Sequence, residues 1–208
     1  MIFVNRAALP VPEVLRSERA RLATEKVRAL LLSSDQDHLE QLRVTLDPVF
    51  WRGAKPALLQ LFHGKCAYCE SAIAATQPGD IEHFRPKEGA ESLKGERDQT
   101  HYSWLAYDWD NILISCIDCG RRRKLGGRFA GKGALFPVEG HRAPLLASVS
   151  ECRALEKGTL LDPCFDSPEE HLAFEEDGTC RSLTDRGQLT IDVLGMNRPS
   201  LLDQRRRA

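Results

Sequence analysis

The sequence predicts an α+β fold: a small core stapled by zinc and wrapped by N- and C-terminal helices. Three observations carry this reading. Apolar residues recur at helical spacing in 12–46 and again in 184–195. Short runs of strand length lie between them, one at 81–84 and a pair at 172–183 folded about Asp177-Gly178. Two Cys-x-x-Cys pairs, Cys66/Cys69 and Cys116/Cys119, sit in the middle of the chain, and four thiolates complete a tetrahedral zinc site.

Length and composition bound the rest. The chain has 208 residues, 42% hydrophobic and 28% charged, which suits a soluble globular protein with a real core. No linker, internal repeat or low-complexity tract interrupts it. One unit is expected, with a helical region at 1–63, the metal core at 64–137 and an α+β extension at 138–208 packed on that core. The net charge of -1 does not mark a nucleic-acid binder, so any basic surface is local. Arg121, Arg122, Arg123 and Lys124 form the best candidate; 205–207 reads as a solvated or frayed end. No run approaches the ~18 apolar residues of a membrane span, and the start lacks the pattern of a signal peptide. A cytoplasmic protein without membrane contact is therefore expected. Seven cysteines are an odd number, and two tight pairs fit a metal better than a disulfide scaffold. Cys152, Cys164 and Cys180 remain as small apolar fillers or free thiols.

The elements follow in order. Pro12 opens a helix over 12–32, with Val14, Leu15, Leu22, Val27, Leu30 and Leu31 at mostly helical spacing. A second helix covers 36–46 and stops at Asp47-Pro48, because a residue before proline avoids helical backbone. A third, 54–63, runs into Cys66. Then come the first cysteine knuckle, a turn at Pro78-Gly79, and a strand into 81–84. Residues 88–100 are charged and lack apolar period, as a loop would. Residues 102–109 are aromatic-rich and suit a buried helical turn; 111–115 lead into the second knuckle. A helix from Cys119 is expected to carry Arg121–Lys124. Four glycines make 126–133 a loop, after which Leu135-Phe136-Pro137 docks back on the core. Residues 160–163 are extended, Ser167 and Pro168 open a short helix, and 184–195 forms another.

The long insert between the cysteine pairs is no obstacle to a shared metal. Closing it costs only about 0.7 kcal/mol more than a ~20-residue insert, whereas structural zinc returns on the order of 10 kcal/mol. A redox Cys-x-x-Cys is the rival reading, but two pairs flanking one insert do not suit it.

Glu82-His83 lies inside the insert, and Asn111 just before the second pair. This order, with Lys124 beyond, resembles the HNH endonuclease family. The string resembles more closely the HNH subunit of Septu anti-phage systems and related retron-associated nucleases. The residues that carry the likeness are Ala67-Tyr-Cys-Glu70, Ile81-Glu-His-Phe-Arg-Pro-Lys87, Trp109-Asp-Asn111, Leu161-Asp-Pro-Cys164, Pro168-Glu-Glu-His-Leu172, Arg186-Gly187 and Leu194-Gly-Met-Asn-Arg198. They span most of the chain.

The resemblance implies a ββα-metal core and metal-dependent hydrolysis of phosphodiester bonds, in DNA or else RNA, for phage defence. It further implies an ATPase partner of the ABC or SMC-like type, docked on 12–46 or 160–200. An imidazole titrates in the right range to activate water, so His83 is expected as general base. A carboxylate beside it suits Mg²⁺ or Mn²⁺, so Glu82 is expected as its ligand. By resemblance, Asn111 braces the loop and orients the His83 ring. Arg85, Lys87 and Arg121–Lys124 are expected to contact phosphates. One position departs from the family pattern. Where Asn or His follows the second pair as a metal ligand, this chain has Gly120, leaving Asp118 or a water to fill the place. Gly120 favours the alternative reading, a non-catalytic zinc scaffold or nucleic-acid-binding module for the ATPase.

Overall fold

The computed structural model describes residues 1–33, 38–73, 79–125 and 127–207. Mixed helices and small sheets make up the fold, as the α+β reading expects. In the first third, α1 (Glu13–Arg16) and α2 (Glu18–Leu32) replace one continuous helix. The break is Ser17, whose extended backbone lets its hydroxyl accept from the Ala20 N–H and cap α2. α3 (His38–Thr45) ends before Asp47-Pro48, and the start expected for it lies outside the described residues. Asp47 also does something the proline rule does not foresee. Its carboxylate accepts from the Val49 N–H and starts α4 (Pro48–Gly53), which buries Phe50 and Trp51. α5 (Lys55–Leu61) then runs to the first knuckle.

The middle of the chain is built on β1 (Asp80–His83) paired antiparallel with β4 (Ile112–Ser115). Ile81 faces Ile114 and His83 faces Ile112 across the pair. β4 is buried along its whole length, which explains its apolar run Ile112–Ile114. The excursion between them is less featureless than its charge suggests. It forms a small hairpin of β2 (Ala90–Glu91) and β3 (Arg97–Asp98), then a buried 3-10 turn at Ser103–Leu105. Pro78 of the expected turn lies outside the described residues, while Gly79 has the positive φ of 63° that a turn requires.

A one-turn helix, α6 (Ile117–Gly120), follows β4 directly. Strand, strand and helix thus succeed one another, but the helix has only four residues. The longer helix expected to carry Arg121–Lys124 does not form. The chain becomes extended after Gly120, and β5 (Arg123–Leu125) pairs with β6 (Arg128–Ala130). Of the glycines that suggested a loop, Gly131 serves this hairpin instead. Gly131, at φ 93°, lies so close to the Arg121 carbonyl that a Cβ there would sit 2.0 Å from its oxygen.

In the last third, β7 (Val138–Glu139) pairs with β8 (Lys157–Gly158) on either side of α7 (Val149–Leu155). β9 (Leu172–Phe174) and β10 (Cys180–Ser182) form the expected hairpin. The Ser167 hydroxyl caps nothing, and only a single 3-10 turn, Pro168–Glu170, follows it. α8 (Asp185–Leu194) starts at the Thr184 cap and ends at Gly195 in left-handed conformation. α9 (Pro199–Arg205) takes up the basic end read as frayed, and Arg205 donates to the Gly178 and Met196 carbonyls. One buried core runs from Leu58 and Ile73 through Ile112–Ile114 to Leu161, Leu194 and Met196. Among the described residues, no helix is long and apolar enough to cross a membrane.

Gly195 carries the join between α8 and the β5–β6 hairpin. A Cβ there would lie 2.8 Å from the Ala130 Cβ, on a backbone at φ 59°. Gly195→Ala is expected to lower unfolding free energy by about 1–2 kcal/mol. Urea denaturation checks this; a wild-type midpoint would mean the hairpin moves freely against α8.

Candidate metal centre and active site

Four buried sulfurs converge. Cys66, Cys69, Cys116 and Cys119 place their Sγ atoms within 4.8 Å of one another. The backbone sets this up from both sides. In the first knuckle the Cys66 N–H donates to Ser71 O and the Glu70 N–H to Cys66 O, while the Ala67 N–H crosses to Ile114 O on β4. In the second, Cys116 is the N-cap of α6, so one helical turn brings Cys119 beside it. Arg198 closes the cluster. Its guanidinium lies 3.5–3.7 Å from the sulfurs of Cys69, Cys116 and Cys119 and 3.3 Å from Asp118. Hydrogen bonds from the neighbouring thiols, and after them the Arg198 charge, pull Cys69 well below the usual thiol range. The set fits a tetrahedral soft metal with no open position.

β1 carries Glu82 and His83 next to this cluster. The His83 ring is buried, packed edge-on against Trp51 at 5.3 Å. Its Nε2 lies 2.9 Å from the Ala106 carbonyl oxygen. A carbonyl only accepts, so Nε2 bears the proton and Nδ1 keeps its lone pair. Burial, and after it the Lys87 charge, push the ring pKa down to about 3, so the imidazole is neutral at neutral pH.

Asn111 is fully buried, and its side-chain hydrogen bonds go to the backbone and not to the imidazole. Its Oδ1 accepts from the Arg85 N–H at 2.8 Å, and its Nδ2 donates to Arg85 O and Leu105 O. It thereby fixes the chain on either side of the ring: the end of β1, and the residue before Ala106.

Glu82 is held by a residue the sequence did not single out. Lys132, fully buried, donates from Nζ to Glu82 Oε1 at 2.7 Å and to His83 O at 2.9 Å. Burial raises the Glu82 pKa, and the Lys132 ammonium opposes that rise. Position 120 does face Glu82, since a Cβ there would lie 3.0 Å from Oε2. It would also lie 2.6 Å from Ser115 Oγ. Asp118 does not fill the place, because it pairs with Arg123 and Arg198. Asp80 is engaged by Arg121 through two hydrogen bonds. A hexacoordinate Mg²⁺ takes several oxygen donors and water. This surrounding, with one carboxylate already paired to an ammonium, does not fit it.

The expected phosphate contacts divide. Arg85 is a correction: it is 3% exposed and bound to Glu156, with Nε and Nη2 each 3.0 Å from Oε2. Its guanidinium packs over Phe136 and Tyr102. Tyr102 and the Ala143 N–H donate to the other Glu156 oxygen. Following Glu82-His83 in the chain does not keep a residue on the surface, because the chain turns inward at Phe84. Lys87 lies over Trp51 and pairs with Glu88. Arg121 and Arg123 are exposed but pair with Asp80 and Asp118. Arg122 and Lys124 are exposed and make no ion pair among the described residues. A cleft of about 580 Å³ opens here, lined by Arg52, Lys55, Asp80, Glu82, Lys87 and Arg121 among others.

Lys132, Glu156 and Arg198 are the residues that sequence reasoning missed. Only Arg198 had a signal, as the last residue of a family-like stretch. Lys132 is a lone cation among glycines, and Glu156 an ordinary acidic residue after a helix. The Arg85–Glu156 pair generates a prediction. Arg85→Ala leaves a buried carboxylate unpaired and is expected to cost about 3–5 kcal/mol of stability. An exposed phosphate contact would cost less than about 0.5 kcal/mol; chemical denaturation separates the two.

No protein-family model matches the chain. It is 37% identical over 155 residues to Septu protein PtuB of Bacillus mycoides (strain KBAB4), covering 73% of this chain and 49% of that protein. It is 34% identical over 145 residues to Septu protein PtuA of the same strain, covering 69% and 19%. A protein of retron Vc95 in Vibrio cholerae serotype O1 biovar El Tor, named as a candidate HNH endonuclease, is 24% identical over 149 residues, covering 68% and 56%. The chain thus spans about half the length, or less, of these relatives. Septu proteins and a retron HNH protein are its homologues, in agreement with the HNH resemblance of its sequence.

Proposed function

We propose that this chain is a nuclease effector of anti-phage defence, hydrolysing phosphodiester bonds in nucleic acid, most directly DNA, with His83 as general base. The observation that carries the reading is the tautomer of His83. A neutral imidazole, pinned through Nε2–H to the Ala106 carbonyl, presents an unprotonated Nδ1 to take a proton from water. Asn111 positions it by fixing Leu105 and Arg85. The homology to Septu and retron proteins supports the biological setting. Zinc is the metal proposed for the four thiolates, which give it a closed shell and therefore a structural role. It cross-links the first knuckle to α6 and so fixes β1 against β4.

Lys87, Arg121, Arg122, Arg123 and Lys124 remain the proposed phosphate contacts, with Arg52 and Lys55 added from the cleft. Arg121 and Arg123 would exchange their carboxylate partners for phosphate. Such contacts are independent of base sequence. An ATPase of the ABC or SMC-like type is the proposed partner; the exposed Leu22 and Leu32 of α2 and Phe165 of the C-terminal part suit its docking. A second reading, a non-catalytic scaffold for that ATPase, is favoured by Gly120 and by the Lys132–Glu82 pair.

Plasmid nicking with Mg²⁺ or Mn²⁺, with and without the ATPase, separates the two. On the nuclease reading wild type nicks, and His83→Ala loses at least ~100-fold of the rate with its zinc content unchanged. Equal activity in His83→Ala would remove His83 as base, and no nicking by wild type in the assembled complex would leave the scaffold. Cys66→Ser or Cys119→Ser is expected to give zinc-poor, unfolded or insoluble protein. Metal analysis and circular dichroism check this; well-folded protein without zinc would refute the four-thiolate site.

A further inference from the structure

The Glu82 site already holds a cation supplied by the chain. The Lys132 ammonium has three donors, and three acceptors surround it: Glu82 Oε1 at 2.7 Å, His83 O at 2.9 Å and Gly133 O at 3.3 Å. A carboxylate and two carbonyl oxygens are the hard donors that a divalent ion such as Mg²⁺ or Mn²⁺ takes. The residue is also hung in place by its backbone. The Lys132 N–H donates to Cys119 O at 2.8 Å, and the Gly133 N–H to Gly120 O at 2.7 Å. The arrangement is mutually required, because a buried ammonium or a buried carboxylate is costly alone.

Among the described residues, the other carboxylates around the ammonium are committed elsewhere. Gly120 brings no donor, and a larger residue there would press on Ser115 Oγ. Asp80 and Asp118 are each committed to arginines. Yet the cleft beside Glu82 is open to solvent and lined in part by Lys55, Lys87 and Arg121. Metal access is therefore limited by the occupant of the site and not by its walls.

We propose that Lys132 is the resident cation of this site and excludes a divalent ion from Glu82 for as long as the ion pair is made. A partner or substrate that switches on metal-dependent chemistry there must first draw the ammonium away. This last consequence rests on the nuclease reading; the exclusion does not.

The test uses the full zinc-loaded chain, with Mn²⁺ binding followed by electron paramagnetic resonance and stability by thermal unfolding. Wild type should take up no stoichiometric Mn²⁺ and show no rise in Tm with it. Lys132→Met should unfold at lower temperature and bind one Mn²⁺ on the order of 100-fold more tightly than wild type or better. Mn²⁺ should restore its Tm. The double variant Lys132→Met/Glu82→Gln should recover Tm without Mn²⁺ and bind none. One Mn²⁺ bound by wild type and lost in Glu82→Gln would overturn the proposal. So would a folded Lys132→Met that gains no Mn²⁺. Should Lys132→Met fail to fold, the wild-type titration decides alone. Nicking is read separately through His83→Ala, so failure of the nuclease reading and failure of this exclusion are distinct results.

Discussion

The convergence of four sulfurs is the constraint on which the rest of the structure depends. It brings together the knuckle after α5, the end of β4 and, through Arg198, the turn between α8 and α9. Four thiolates around one divalent ion keep a net double negative charge. A buried charge of that size needs a partner, and the Arg198 guanidinium supplies one at hydrogen-bonding range of three sulfurs. The turn into the C-terminal helix is thereby part of the candidate metal centre. The same convergence hangs Lys132 on Cys119 and sets Gly120 against Glu82, so sulfur geometry is transmitted to the carboxylate and the imidazole within a few bonds.

A second set of buried interactions fixes the far side of the same strand. Asn111 and Glu156 both hold residue 85, one by its backbone and one by its side chain. Buried ion pairs are poor sources of net stability, because desolvation offsets attraction. Their value here is positional: Arg85 has one satisfied orientation, and β1 therefore ends in one place. The cost falls on basicity. A general base works best with a pKa near the working pH, and His83 at about 3 is far below it. The causes are burial and the nearby ammonium groups of Lys87 and, to a smaller extent, Lys132. A phosphate anion in the cleft, or departure of the Lys132 ammonium, opposes the charge contributions and raises the pKa, while the effect of burial stays.

Sequence reasoning reached what rests on local chemistry. The cysteine spacing, the strand into His83, the Asp177-Gly178 hairpin and the helix after Thr184 each follow from a few adjacent residues. It missed what rests on distant contacts. The stretch after Cys119 has the composition of a helix start, yet Gly131 can approach the Arg121 carbonyl as no other residue can, and that approach sets up a hairpin. Arg85 looks like a surface cation until Glu156 is brought to it by the β7–β8 pairing. Lys132 and Glu82 are fifty positions apart, and the suspension of Lys132 from Cys119 beside β1 makes them partners.

The hairpin also changes what the basic run is for. On a helix, four consecutive cations would spread around the axis. On a strand they alternate, and the alternation sorts them by partner. Arg121 and Arg123 turn to Asp80 and Asp118 and tie the hairpin to the site, whereas Arg122 and Lys124 are exposed and make no ion pair among the described residues. With a net charge of -1 over the whole chain, the lysines and arginines that line the cleft give a local field and no long-range one. On the nuclease reading, nucleic acid is therefore gripped only once it is already close. On that reading the encounter falls to the proposed partner, a division of labour that would keep a defence nuclease silent on the cell's own DNA.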